Sequence, residues 1–180
     1  MSDETSDGAL EPELNEMVAR REVPDALILS SAQDFRIAAQ LLYDRLQEHK
    51  SVLPLLMVAS FAIELYLKAL NARYDYTPLD GADAYLVAAK AEKRGHPLIP
   101  LFEALDLEFR NGLMQAYFCA PCVAGCKSIV DALKIFNKTF EDCRYIFEGQ
   151  KELPSIPLGD LVKLAALVGN YVESLPKRVF

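Results

Sequence analysis

Two charged residues, Glu64 and Lys68, stand one helical turn apart inside a stretch that is otherwise apolar on nearly all sides from Leu55 to Leu70. Charges so placed are costly unless they pair or line a wet cleft, and at this spacing a carboxylate and an ammonium can pair. Three more side chains have types that would extend such a cleft. His96 follows Arg94 and Gly95 at a turn, where an imidazole can cap backbone carbonyls or serve as acid or base near neutral pH. Arg144 and Tyr145 supply a cation and an aromatic face, groups that hold a phosphate and stack a base; as plain helix residues they are its outward side. The second histidine, His49, follows Arg45 with three residues between, and reads as a helix terminator whose charge offsets the dipole. No Ser, His and acid constellation and no glycine-rich phosphate loop accompanies these residues.

The cysteines are the other candidate ligands. Cys119, Cys122 and Cys126 fall within eight residues, and Cys143 follows at a distance. A zinc site wants four thiolate or imidazole ligands, usually as two close pairs. Here one C-x-x-C has no matching second pair, and Cys143 lies on an apolar seam where a small thiol packs well. Core and surface thiols are the favoured reading over a metal quartet of Cys119, Cys122, Cys126 and Cys143, and no cofactor is expected.

The elements that must position these groups read as helices. Ser30 or Ser31 can cap a first helix in which Phe35, Ala38, Ala39, Leu42 and Leu46 share one face, with Gln33, Arg36, Gln40 and Asp44 turned away. It should end near His49. A second helix starts around Pro54, which suits a first-turn position, and its apolar character to Leu70 makes it the most buried. Residues 75–95 form a loop-rich excursion with a possible short helix from Asp83 to Arg94, closed by Gly95. Leu98 to Leu105 and Leu107 to Phe118 predict two further helices, the latter with a weak point at Gly112. Ile129, Leu133, Phe136, Phe140, Cys143 and Phe147 then recur at steps of four and three, as do Leu158, Leu161, Ala165, Val168, Val172 and Leu175. That is the spacing of a helix seam, which predicts two long helices and an all-α, up-and-down antiparallel bundle.

Composition bounds the rest. With 180 residues, 52% hydrophobic and 25% charged, one core suffices. Residues 1–24 read as an acidic mobile tail and 25–180 as a single helical domain. Six acids, Asp3, Glu4, Asp7, Glu11, Glu13 and Glu16, precede the first base, Arg20, and account for most of the net charge of −7. The body is thus nearly neutral, which argues against a broad nucleic-acid-binding face and leaves room for a small local patch; no DNA partner is expected. The start has no basic or apolar signal region, and the densest apolar run, Val52 to Ile63, is short of the roughly 18 to 20 residues of a bilayer span. A soluble cytoplasmic protein with reduced thiols is expected. A second apolar set on the last helix, Leu164, Leu167 and Tyr171, suggests a homodimer.

Several segments resemble HEPN domains: Phe61-Ala-Ile-Glu64-Leu-Tyr66-Leu-Lys68-Ala-Leu70, then Gly95-His96-Pro97-Leu98 with Leu101-Phe102, then Arg144-Tyr145, preceded by Ala32-x-x-Phe35-Arg36-x-Ala38-Ala39. The likeness covers roughly residues 30–148. It implies a helical bundle, often dimeric, of the kind found in toxin-antitoxin, phage-defence and RNA-processing proteins, sometimes beside a small nucleotidyltransferase partner. Catalytic members carry Arg, four to six residues, then His, and form a metal-independent ribonuclease site across the dimer. Here no histidine follows Arg144 up to Lys151, and Arg45 to His49 is one residue too short and on another helix. The expectation is a non-catalytic module that binds nucleotide, RNA or a protein partner through Glu64, Lys68, His96, Arg144 and Tyr145. The alternatives are a divergent ribonuclease using Arg144 and His96, and a purely structural dimeric adaptor.

Overall fold

Helices are what the apolar spacing demands, and a computed structural model of the chain, which describes residues 22–78, 85–91, 93–146 and 155–179, is mainly helical. Most of the acidic tail, together with Gly81 and Phe147, lies outside the described residues. The first helix, α1 (Ala26–Asp44), starts earlier than expected because Asp25, not Ser30 or Ser31, caps it, with Oδ1 accepting from the Ile28 amide at 2.8 Å. Ser31 lies inside the helix and donates back to the Leu27 carbonyl. A single turn, α2 (Leu46–His49), continues the chain and is ended by Lys50 in the left-handed region at φ 49°.

The central element is α3 (Val52–Ala69), with Pro54 in its first turn, where a missing amide hydrogen goes unnoticed. It runs through Glu64 instead of stopping there. By length and composition it would cross a membrane, and more than half of it is buried inside the fold. Its end is tied to the start of α1 by a 2.9 Å bond from the Asp25 amide to the Ala69 carbonyl.

The excursion that follows is an antiparallel hairpin, β2 (Ala72–Pro78) with β3 (Tyr85–Ala91), after a short strand β1 (Glu22–Val23) earlier in the chain. The expected helix from Asp83 to Arg94 is therefore replaced by strand. Alanine, leucine and lysine favour helix in Tyr85–Ala91, but backbone pairing with Ala72–Pro78 overrides that preference. Gly95 is left-handed as expected, at φ 107°, yet it opens the turn into the next helix instead of closing one.

That next helix is α4 (Leu98–Glu103), followed by α5 (Leu107–Cys119). The single long helix predicted from Ile129 to Phe147 is two: α6 (Ile129–Ile135) and α7 (Thr139–Arg144). Asn137, in the break, explains the interruption. Its backbone carbonyl accepts from the Leu98 amide at 3.1 Å and its side-chain Oδ1 from the Ile99 amide at 2.7 Å. Those are first-turn amides of α4 that the helix itself cannot satisfy, so the break supplies a cap from a distant part of the chain.

The last helix, α8 (Leu158–Ser174), buries Leu161, Val162, Leu164, Ala165, Val168 and Val172. A short strand, β4 (Arg178–Val179), returns to pair with β1. α3 packs against α1, α4, α7 and α8 and so forms the axis of the core. Leu164 is fully buried, and the Tyr171 ring covers Gly112, where an added Cβ would lie 2.0 Å from its hydroxyl. Of the apolar set Leu164, Leu167 and Tyr171 on α8, Leu164 is thus taken up within the chain, while Leu167 and Tyr171 are half-buried and line a groove. Gly112, read as a weak point, is where α5 and α8 come close. Replacing Asn137 with Ala should cost about 1 kcal/mol, as loss of a helix cap does. Thermal unfolding should show a drop of about 2–4 °C, and an unchanged midpoint would mean the cap contributes nothing.

Candidate functional site

A carboxylate cannot be left alone in an apolar helix. Glu64 has 0% exposed side-chain surface, and two side chains reach it, an ammonium and an imidazole. Lys68 Nζ, one turn on and 18% exposed, donates to Oε1 at 2.6 Å. His96 Nδ1, 34% exposed, lies 3.0 Å from Oε1 and 3.1 Å from Oε2. A carboxylate only accepts, so it places the ring hydrogen on Nδ1 and leaves Nε2 for another partner. Glu64 and Lys68 come from α3, while His96 is delivered by the turn that Asn137 anchors through Leu98 and Ile99.

The imidazole is also packed. Its ring lies 5.0 Å from that of Phe140 on α7; Phe140 stacks on Phe61 at 4.8 Å, and Phe61 meets Phe35 edge-on at 4.8 Å. Three helices thus fix one ring. Arg144 is exposed and stands one turn beyond Phe140 on α7, so both project from the same side of that helix. Its guanidinium lies 5.1 Å from the centre of the exposed Tyr145 ring. Of the five residues singled out from the sequence, Glu64, Lys68 and His96 are in direct contact, and Arg144 with Tyr145 forms a second pair, one turn beyond Phe140. The sequence reading missed Phe35, Phe61 and Phe140 as parts of the site, because their spacing marks them only as core.

A second polar network also escaped it. Tyr66, buried on α3, donates to Glu173 Oε1 at 2.5 Å and accepts from Arg36 Nε at 3.0 Å, while Arg36 pairs with Glu173 at 3.2 Å. Burial, then the bond to Glu173, pushes the Tyr66 hydroxyl above its ordinary pKa. Burial works against the Arg36 charge, but Tyr66 and Glu173 outweigh it and raise its pKa. Arg36 therefore faces a partner helix instead of turning away from the fold. Gly169 makes room for this network, since a Cβ there would sit 2.9 Å from both Arg36 Cδ and the Tyr66 hydroxyl.

The other candidates are apart from this cluster. His49 is exposed at the end of α2, 3.7 Å from Glu48. All four cysteines are free: Cys143 is in the core on α7, Cys122 and Cys126 are half-buried in the segment after α5, and Cys119 is exposed. Among the described residues no three His, Cys, Asp or Glu side chains converge as a metal site requires. A separate groove of about 550 Å³ runs between α5 and α8, with Lys163 as its one charged lining residue. Comparison with protein-family models, with curated proteins and with solved structures finds no match to this chain.

Two measurements probe this chemistry. Glu64→Ala leaves the Lys68 ammonium and the His96 N–H facing a void and should cost about 3 kcal/mol or more in urea unfolding. Lys68→Ala should cost less, because the remaining carboxylate keeps His96; the reverse order would contradict this account. Burial, aided by Asp160, pushes the Cys122 thiol up to about 11, and burial with Asp142 does the same to Cys143. The fold holds both thiols protonated, so their contribution to stability is whole below the unfolded thiol value of about 8.5 and is lost as pH rises through about 11. Alkylation at pH 8 should label Cys119 first and Cys122 and Cys143 slowly.

Proposed function

We propose that this chain is a HEPN-like helical module that binds a phosphate-bearing ligand, a nucleotide or a segment of RNA, and does not cleave it. The observation that carries the reading is the buried Glu64 carboxylate holding Lys68 and His96 together. Such a carboxylate neutralises Lys68 and orients His96, so that Nε2 is presented as a hydrogen-bonding group at a partly open surface. Arg144, with no carboxylate paired to it among the described residues, supplies a positive charge suited to a phosphate. Tyr145, exposed and already in contact with that guanidinium, suits a base that stacks. The near-neutral body limits the interaction to this local patch.

The absence of a histidine four to six residues after Arg144 favours binding over cleavage within the resemblance. One observation favours the second reading, a divergent ribonuclease using His96 with Arg144: a carboxylate bonded to Nδ1 is also how an imidazole is oriented for proton transfer. In either case the setting suggested by the resemblance is a toxin-antitoxin or phage-defence system with a small nucleotidyltransferase or a second copy of the chain as partner.

Fluorescence anisotropy with labelled ATP and with a labelled single-stranded RNA tests the proposal. Binding by the intact chain should weaken at least tenfold in Arg144→Ala and should fall as salt rises, with the RNA intact after prolonged incubation. Cleavage that disappears in both Arg144→Ala and His96→Ala would establish the enzyme instead. No binding of either probe at near-millimolar protein would leave the structural adaptor as the account.

A further inference from the structure

The outward side of α5 is less polar than a solvated helix face should be. Leu107, Met114 and Phe118 are all exposed, Phe118 by 75%, and with Asn111 they recur at steps of four, three and four. This is the spacing by which one helix packs against another. Two grooves, of about 250 and 410 Å³, flank this ridge and share Asn111 and Met114. Arg110 lines the first and Lys127 the second. The Arg110 Nε is shielded from water and has no hydrogen-bond acceptor among the described residues. A buried donor without an acceptor is costly, and it marks a place where a carboxylate would be stabilised.

The chain carries a segment that fits. Between residues 10 and 18, Leu10, Leu14 and Met17 recur at steps of four and three, with Glu11, Glu13 and Glu16 between them. Apolar spacing and acidic charge therefore complement the apolar ridge of α5, its Arg110, and Lys127 in the segment that follows it. The exit point also fits. Glu22 pairs with Val179 and Val23 with Arg178, and the Arg178 guanidinium holds Glu108, in the first turn of α5, at 2.7 and 2.9 Å. The described chain therefore begins, at Glu22, beside the start of that helix. Val18 is four residues away, within about 14 Å of extended chain, and α5 itself is about 20 Å long.

We infer that residues 10–18 of the chain dock on its own α5, antiparallel to it, with Leu14 against Met114, Leu10 near Phe118, Glu16 reaching Arg110 and Glu11 reaching Lys127. A link of three residues between the docked segment and Glu22 gives an effective concentration in the millimolar range, so a contact of modest intrinsic affinity is enough. The acidic segment then acts as a cover for an apolar face, held by one buried and one exposed ion pair.

Methyl NMR on the full chain, with Leu and Met methyls labelled, tests this. Met114 should show cross-relaxation with Leu14, while Met57, on the distant α3, reports that the fold is intact. In Glu16→Lys and in Leu14→Asp, both outside the described residues, the Met114 methyl should move to a solvent-exposed position and Met57 should not move. A Met114 signal that is the same in the unaltered chain and both variants, with no cross-relaxation to Leu14, would overturn the inference. So would a Met114 shift that follows protein dilution, because the occupant would then be a second copy.

Discussion

Burying a carboxylate in the middle of the most apolar helix constrains everything packed around it. Glu64 has no exposed surface, so water cannot compensate its charge, and the two side chains that do come from different parts of the chain. Lys68 is local and costs nothing in topology. His96 is 32 residues away, and the turn that carries it has to be brought back to α3 and kept there. The cap of α4 by Asn137 and the packing of His96 on Phe140 are the means. The interruption between α6 and α7 serves both, since it frees Asn137 and re-aims the following turn at the imidazole. Local helix continuity is given up so that one distant charge can be satisfied.

A similar logic holds the other side of α3. Tyr66, Arg36 and Glu173 join α3, α1 and α8 through polar contacts in a region that is mostly apolar. Such a network is directional where hydrophobic contact is not, and it fixes how the three helices are rotated about their axes. Close approach is needed for it, and Gly169 permits that approach. Gly112 beneath Tyr171, and Gly159 beside the Tyr43 hydroxyl, repeat the device at two further places. In each case a tyrosine on one helix occupies the space a side chain would have taken on another.

Much of the helical body was legible in the sequence, because the apolar residues of α1, α3, α5 and α8 recur at helical spacing and that pattern is set by burial. So was the association of Glu64 with Lys68, which requires only one turn of helix. The contact with His96 was not derivable from spacing, since it depends on a tertiary cap. Ile129 to Phe147 misled for the same reason: the seam spacing continues across the break, and only Asn137's distant partners show why the helix stops. The hairpin was missed because Tyr85–Ala91 has helix-forming residues and its strand identity comes from its partner. Arg36 and Glu173 looked like surface charges, and nothing in their neighbours in sequence shows that a buried tyrosine lies between them.

Ala72 pairs with Ala91 at the base of the hairpin. Cross-strand partners lie about 5 Å apart, so the chain leaves the helical body and returns to it at nearly the same point. The intervening ribbon adds length without adding distance. The loop that brings His96 back to Glu64 is therefore effectively much shorter than the 32 residues between them, and its closure costs correspondingly less entropy.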